Sequence, residues 1–158
     1  MRALLVILLS CLPLILVSAC ANSHVEKSTM AIGVVGQQQL ITNHPDFLQS
    51  YQAFQLSALE VAEIKSWPSD LHIDIYFGTW CHDSEREVPR FLKMLTANSV
   101  LSYRLIALDY NKAEPSGSAQ KHAIKYTPTF VVYQNKQEIG RIIERPTVSL
   151  TADISAML

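Results

Sequence analysis

Several things are scarce in this sequence of 158 residues, and each absence removes a class of function. Excess basic charge is missing: 13 Lys and Arg stand against 14 Asp and Glu, for a net charge of −1. No basic stripe is visible, so nucleic acid is not an expected partner. Metal-ligand spacing is missing too. Cys81 and His82 are adjacent, while His24, His44, His72 and His122 are scattered. No metal or other cofactor is expected from that pattern. A membrane-spanning run is also lacking. The apolar stretch 3–17 is on the short side for a span and contains Ser10 and Pro13. Cysteine is rare, with three residues at positions 11, 20 and 81.

What is present begins with the N-terminus. Met1-Arg2 is a short positive segment, 3–17 is apolar, and Val17-Ser18-Ala19-Cys20 closes it. This is the layout of a secretory signal. Val-Ser-Ala-Cys resembles a bacterial lipobox, in which cleavage falls before the cysteine and the cysteine carries the lipid. The alternative is an ordinary signal peptide that ends near a cysteine. The resemblance implies a signal peptide over 1–19, lipidation at Cys20 and stable anchoring by several acyl chains. It places the protein in the bacterial cell envelope, facing the periplasm. Ala21 in place of Asp directs it to the outer membrane in preference to the inner. Cys11 then leaves with the signal, and Cys81 is the one free thiol of a mature chain of about 139 residues. No intramolecular disulfide can form, although the compartment is oxidising. A domain of that length builds a core without staples.

Residues 20–36, small and polar at the outset, read as a lipidated tether, leaving 37–158 as the domain. Residues 38–42 read as a short edge strand. Asn43 and Asp46 flank Pro45 as N-cap candidates. Apolar spacing over 47–64 predicts one or two helices packed on a sheet. Trp67-Pro68-Ser69-Asp70 is a turn. Residues 71–77 read as a central strand.

The stretch that organises the chain follows: Phe77-Gly78-Thr79-Trp80-Cys81-His82-Asp83-Ser84, then Glu85-Arg86-Glu87-Val88-Pro89. It joins the strand to a helix predicted over 84–96, with Val88, Phe91, Leu92 and Leu95 as its apolar stripe. Glu85, Arg86, Glu87, Arg90 and Lys93 take the other face. A cysteine at such a turn meets the unpaired N–H groups and dipole of a helix N-terminus, which favour a thiolate. The acids Asp83, Glu85 and Glu87 oppose that effect. Ser84, one helical turn on, is placed to hydrogen-bond the sulfur, and it cannot resolve a mixed disulfide. His82 is a candidate acid, base or donor to the thiolate; an exposed surface histidine is the plainer reading.

Trp80-Cys81-His82-Asp83-Ser84 resembles the W-C-x-x-C site of thioredoxin-like proteins, with serine in place of the second cysteine. Pro89 is similar to that family's kink proline, and the W-C-x-D-S-x-R-E-V-P pattern looks like that of bacterial thioredoxin-like proteins. Asp109-Tyr110-Asn111, after a strand at 101–108, is similar as well. Tyr126-Thr127-Pro128-Thr129, after a helix at 119–125, resembles the cis-proline loop. The resemblance covers residues 37–158. It implies an α/β fold: a thioredoxin-like three-layer sandwich, a mixed central sheet with helices on both faces. A hairpin turn at Gln134-Asn135-Lys136-Gln137 joins strands 129–133 and 138–143, and a helix over 147–157 closes the domain. Where the family carries a buried acid six residues before its nucleophile, this chain has Ile75. Asp74 points the other way and reads as a surface or strand-edge acid. Peroxidase motifs do not match, since Thr79 lies two residues before Cys81 and not three.

Two functions follow from the resemblance. One is monothiol thiol–disulfide exchange through Cys81 on extracytoplasmic proteins, assisted by Ser84 and His82 and recycled by an external thiol or reductase. The other is a non-catalytic module that binds extended peptides or partner proteins beside Pro128. In both, Trp80, Thr127 and Pro128 form the substrate-binding surface, and the membrane is engaged through the lipid anchor.

Overall fold

The computed structural model describes residues 29–158. The elements run β1 (Gly33–Val35), α1 (Gln37–Asn43), α2 (Pro45–Ala53), α3 (Ala58–Lys65), β2 (Leu71–Phe77), α4 (His82–Met94), β3 (Ser102–Ala107), α5 (Ser118–Lys121), β4 (Thr129–Gln134), β5 (Gln137–Ile143) and α6 (Leu150–Ser155). The strands make one mixed sheet in the order β1-β3-β2-β4-β5. β2 and β3 are parallel, and the other neighbours are antiparallel.

Strand alternation divides the side chains of β2 between two faces. Leu71, Ile73, Ile75 and Phe77 enter the main core with Phe47, Ile64, Val88, Phe91, Leu92 and Ile154, which come from α2, α3, α4 and α6. Tyr76 enters a smaller cluster on the opposite face with Ile106, Leu108 and Val131, covered by Ala119 and Ile124. This is the α/β arrangement implied by the resemblance, with helices on both faces, though the second face carries only the short α5.

Several local expectations are corrected. Residues 38–42 are not an edge strand; they lie within α1. The edge strand is Gly33–Val35, paired with β3, so the segment read as tether contributes its end to the sheet. The reason is compositional: Gln37, Gln38 and Gln39 favour helix, whereas Val34 and Val35 suit a pleated edge. The N-cap of α2 is His44, and neither Asn43 nor Asp46 takes that place. α5 stops at Lys121, because Ala123 adopts φ +52°. α6 begins at Leu150, capped by Ser149, whose hydroxyl accepts from Ala152 N. The hairpin turn falls where expected, with Asn135 and Lys136 both at positive φ, the requirement of a type I′ turn.

Glu87 does not lie on an open helix face. Its side chain is buried and accepts from Arg86 Nε at 2.6 Å and Arg90 Nη1 at 3.1 Å. Asp74 is likewise no surface acid: its side chain is 2% exposed and faces away from the main core. Arg104 Nε donates to Asp74 Oδ1 at 2.7 Å, and His72 Nε2 lies 2.9 Å from the same oxygen. Burial works against ionisation there, but the hydrogen bonds from His72 and Arg104 prevail and hold the carboxyl at about 2. Glu114 shows the same balance. Burial opposes its charge, and bonds from Ser116 and from Ala119 N bring it to about 2. Through Ala119 N it satisfies one of the first N–H groups of α5, whose N-cap, Gly117, has no side chain to do so.

Candidate active site

The site grows from the turn between β2 and α4. Cys81 N donates to Gly78 O at 3.0 Å, closing the turn, and Cys81 is itself the N-cap of α4. Gly78 is required by close approach. A Cβ there would sit 2.5 Å from Trp80 Cε2, so only glycine lets the indole fold back over the backbone. Trp80 is pinned on its other side. Its Nε1 donates to Leu108 O at 3.0 Å, Tyr110 stacks at 4.8 Å between ring centroids, and Lys112 Nζ lies 4.3 Å from the ring centre.

The second half of the site comes from the loop before β4. The Thr127–Pro128 peptide bond is cis. Thr129 Oγ1 donates to Tyr126 O at 2.8 Å, and Glu144 N donates to Pro128 O at 2.7 Å, fixing the loop to β5. Thr127 O accepts from Cys81 Sγ at 3.1 Å. Tertiary structure thus joins Cys81 to Thr127 and Pro128, which are more than forty positions away in the chain.

The other two residues expected to assist the thiol are placed elsewhere. Ser84 is fully buried, and its hydroxyl accepts from Gly78 N at 3.3 Å instead of meeting the sulfur. It supports the turn that presents Cys81. The His82 side chain is 95% exposed and contacts Glu85 at 3.1 Å. Arg86 pairs with Asp83 at 2.7 Å and with Glu87, so an arginine offsets the acids of the first turns.

Sequence reasoning missed Gly78, although a glycine one position from a Thr-Trp-Cys turn was a usable signal. It also missed the bond from Ala31 N to Thr79 Oγ1 at 3.2 Å, which no local pattern announces. Among the described residues Cys81 is the free cysteine, and no group of His, Cys, Asp or Glu is arranged to hold a metal. Within them no helix is long and apolar enough to cross a membrane. The signal peptide, Cys11 and the lipidation candidate Cys20 lie outside the described residues.

A family model described as Thioredoxin matches residues 36–152. No curated protein matches the sequence. Among solved structures, a protein of unknown function from Pseudomonas aeruginosa is 13% identical, with a TM-score of 0.59 over 73% of this chain and 83% of that one. An HIV epitope scaffold is similar at 13% identity and a TM-score of 0.58, over 73% and 84% of the two chains. A thioredoxin from Fasciola hepatica is 19% identical, with a TM-score of 0.46 over 57% and 83%. At 13% identity the first two likenesses are of fold alone.

Proposed function

Because this chain belongs to the thioredoxin family, matched over residues 36–152, we propose that it carries out monothiol thiol–disulfide exchange through Cys81. We place it outside the cytoplasm, anchored to the envelope by lipid on Cys20. The observation that carries the reading is the position of Cys81 Sγ at the N-cap of α4, 3.1 Å from Thr127 O beside Pro128. The thiol sits where a helix terminus favours its anion. The loop next to it offers backbone to an extended substrate.

The chemistry balances without a second cysteine in the site. The Cys81 thiolate attacks one sulfur of a substrate disulfide. The substrate S–S bond breaks, a Cys81–substrate bond forms, and the departing thiolate takes a proton from solvent. Ser84 has no sulfur and faces Gly78. Release therefore falls to an external thiol, or to a second thiol of the substrate itself. The first route suits removal of a mixed disulfide, and the second suits isomerisation. Trp80 and the Thr127–Pro128 loop line the approach. His82, in solvent, is placed to meet an incoming substrate.

A binding module is the second reading. It is favoured by Ile75 standing beneath the turn where a proton-accepting acid would serve, while Asp74 is committed to Arg104 on the opposite face. Trapping with a disulfide-bearing peptide separates the two. Exchange predicts a mixed disulfide that forms with the wild type and disappears in Cys81→Ser. No mixed disulfide, with equal peptide binding by both proteins, would instead support the binding module.

A further inference from the structure

The direction of β1 decides which end of the domain the N-terminal segment enters. Gly33 pairs with Ala107, and Val35 pairs with Leu105. Ala107 in turn pairs with Phe77, the last residue of β2 before the Cys81 turn. The chain therefore enters at the Cys81 end, and Ala31 N is bonded there to Thr79 Oγ1. Thr79 precedes Cys81 by two residues, a span of at most about 7 Å.

Chain reach then limits where the site can be. From Cys20 to Ala31 there are 11 steps (31 − 20), at most about 40 Å when fully extended. A domain of this size is about 35 Å across. The far end, where Trp67 Nε1 donates to Ser155 Oγ, can swing that much farther from the anchor. The Cys81 end cannot. Apolar side chains are exposed at that end, among them Met30, Ile32, Tyr110, Tyr126 and Ile143, interspersed with exposed Lys125, Glu144 and Arg145. Tyrosines with one wet edge suit a bilayer boundary.

We infer that the anchor holds the Cys81 end of the domain towards the bilayer, so that its partners are membrane-embedded or lipid-anchored proteins presenting cysteines at the membrane surface. This rests on the lipid-anchoring part of the function proposed above. Freely diffusing proteins of the compartment are the competing class.

The two tryptophans report the two ends, Trp80 beside Cys81 and Trp67 at the far end. The test uses the full chain, reconstituted in phosphatidylcholine–phosphatidylglycerol vesicles with a nitroxide on the lipid headgroup. Trp67→Phe isolates Trp80, and Trp80→Phe isolates Trp67. Should Trp67→Phe not fold, the wild type minus Trp80→Phe yields the same signal by difference. A water-soluble nitroxide normalises for the burial of each ring. The expected result is loss of Trp80 emission with Trp67 emission largely retained. Equal loss, or greater loss from Trp67, in a chain whose intact mass shows acyl groups overturns the inference alone. A chain without acyl groups overturns the anchoring on which it rests.

Discussion

The two ends of β2 are built on opposite principles. At its start, His72 and Asp74 join Arg104 in an ion-paired cluster on the face of the sheet that carries α5. At its end, Cys81 meets the Thr127 carbonyl of the cis-proline loop, and Ile75, two positions before the end of the strand, lies in the main core. Both ends hold a potentially reactive group, yet only the second leaves it available. Asp74 is spent on holding two strands together, β2 and β3. Cys81 is held by one bond from a thiol, which an incoming sulfur can replace. Buried charge at the start of β2 thus holds strands together, whereas Cys81 stands at a half-buried turn.

Removing Arg104 is the strongest way to break that comparison. Arg104→Ala leaves the Asp74 carboxylate, 2% exposed, with His72 as its remaining side-chain partner. The expected loss is about 3 kcal/mol, less than for a fully buried pair because the arginine is half exposed. Urea unfolding measures it, and the rate of Cys81 exchange should not move. A slowed exchange would mean the charged end does reach the thiol.

Acid sharpens the same contrast. Asp74 has its carboxyl depressed from 3.8 to about 2 in the folded state. A depressed carboxyl stabilises the fold above its unfolded value and loses that contribution as pH falls through the folded one. Stability should therefore drop by about 2 kcal/mol between roughly pH 4 and pH 2 on account of Asp74. Glu114, depressed to about 2 by bonds from Ser116 and Ala119 that outweigh its burial, acts in the same window and direction. Thermal melts over that range should show the fall, and Arg104→Ala should reduce it by the share of Asp74, leaving that of Glu114. An unchanged slope in the variant would count against Asp74 as its source.

The smallest effect belongs to Ser84→Ala. It removes the acceptor for Gly78 N and should cost about 1 kcal/mol. Exchange should persist, because the hydroxyl serves the turn and not the sulfur. Loss of exchange with little loss of stability would restore Ser84 to a direct role.

Much of this was legible in the chain. Residues 71–77 read as a strand because apolar β-formers fill them, and that strand was found with the same limits. The Trp80-Cys81 turn and the Thr127-Pro128 loop were each recognisable locally. Less readable were Glu87 and Asp74, two acids that pattern alone assigned to the surface. An ionised side chain is buried only when partners close around it. For Asp74 that partner is Arg104, thirty residues away on the next strand. Glu87 depends on Arg86 and Arg90, one position before it and three after it on the helix. The short strand Gly33–Val35 was missed for a related reason. Three residues carry little propensity, and it is β3 that makes them a strand.

The periodicities, the turn residues and a cysteine at the start of a helix follow from the chain alone, because these depend on neighbours a few positions apart. Only the tertiary structure decided that Thr127 O would face Cys81 Sγ, that Ser84 would turn to Gly78, and that the chain would enter beside Thr79. The first and last of these are contacts between distant segments. They are set by strand order and direction, which the burial of two sheet faces selects for the chain as a whole.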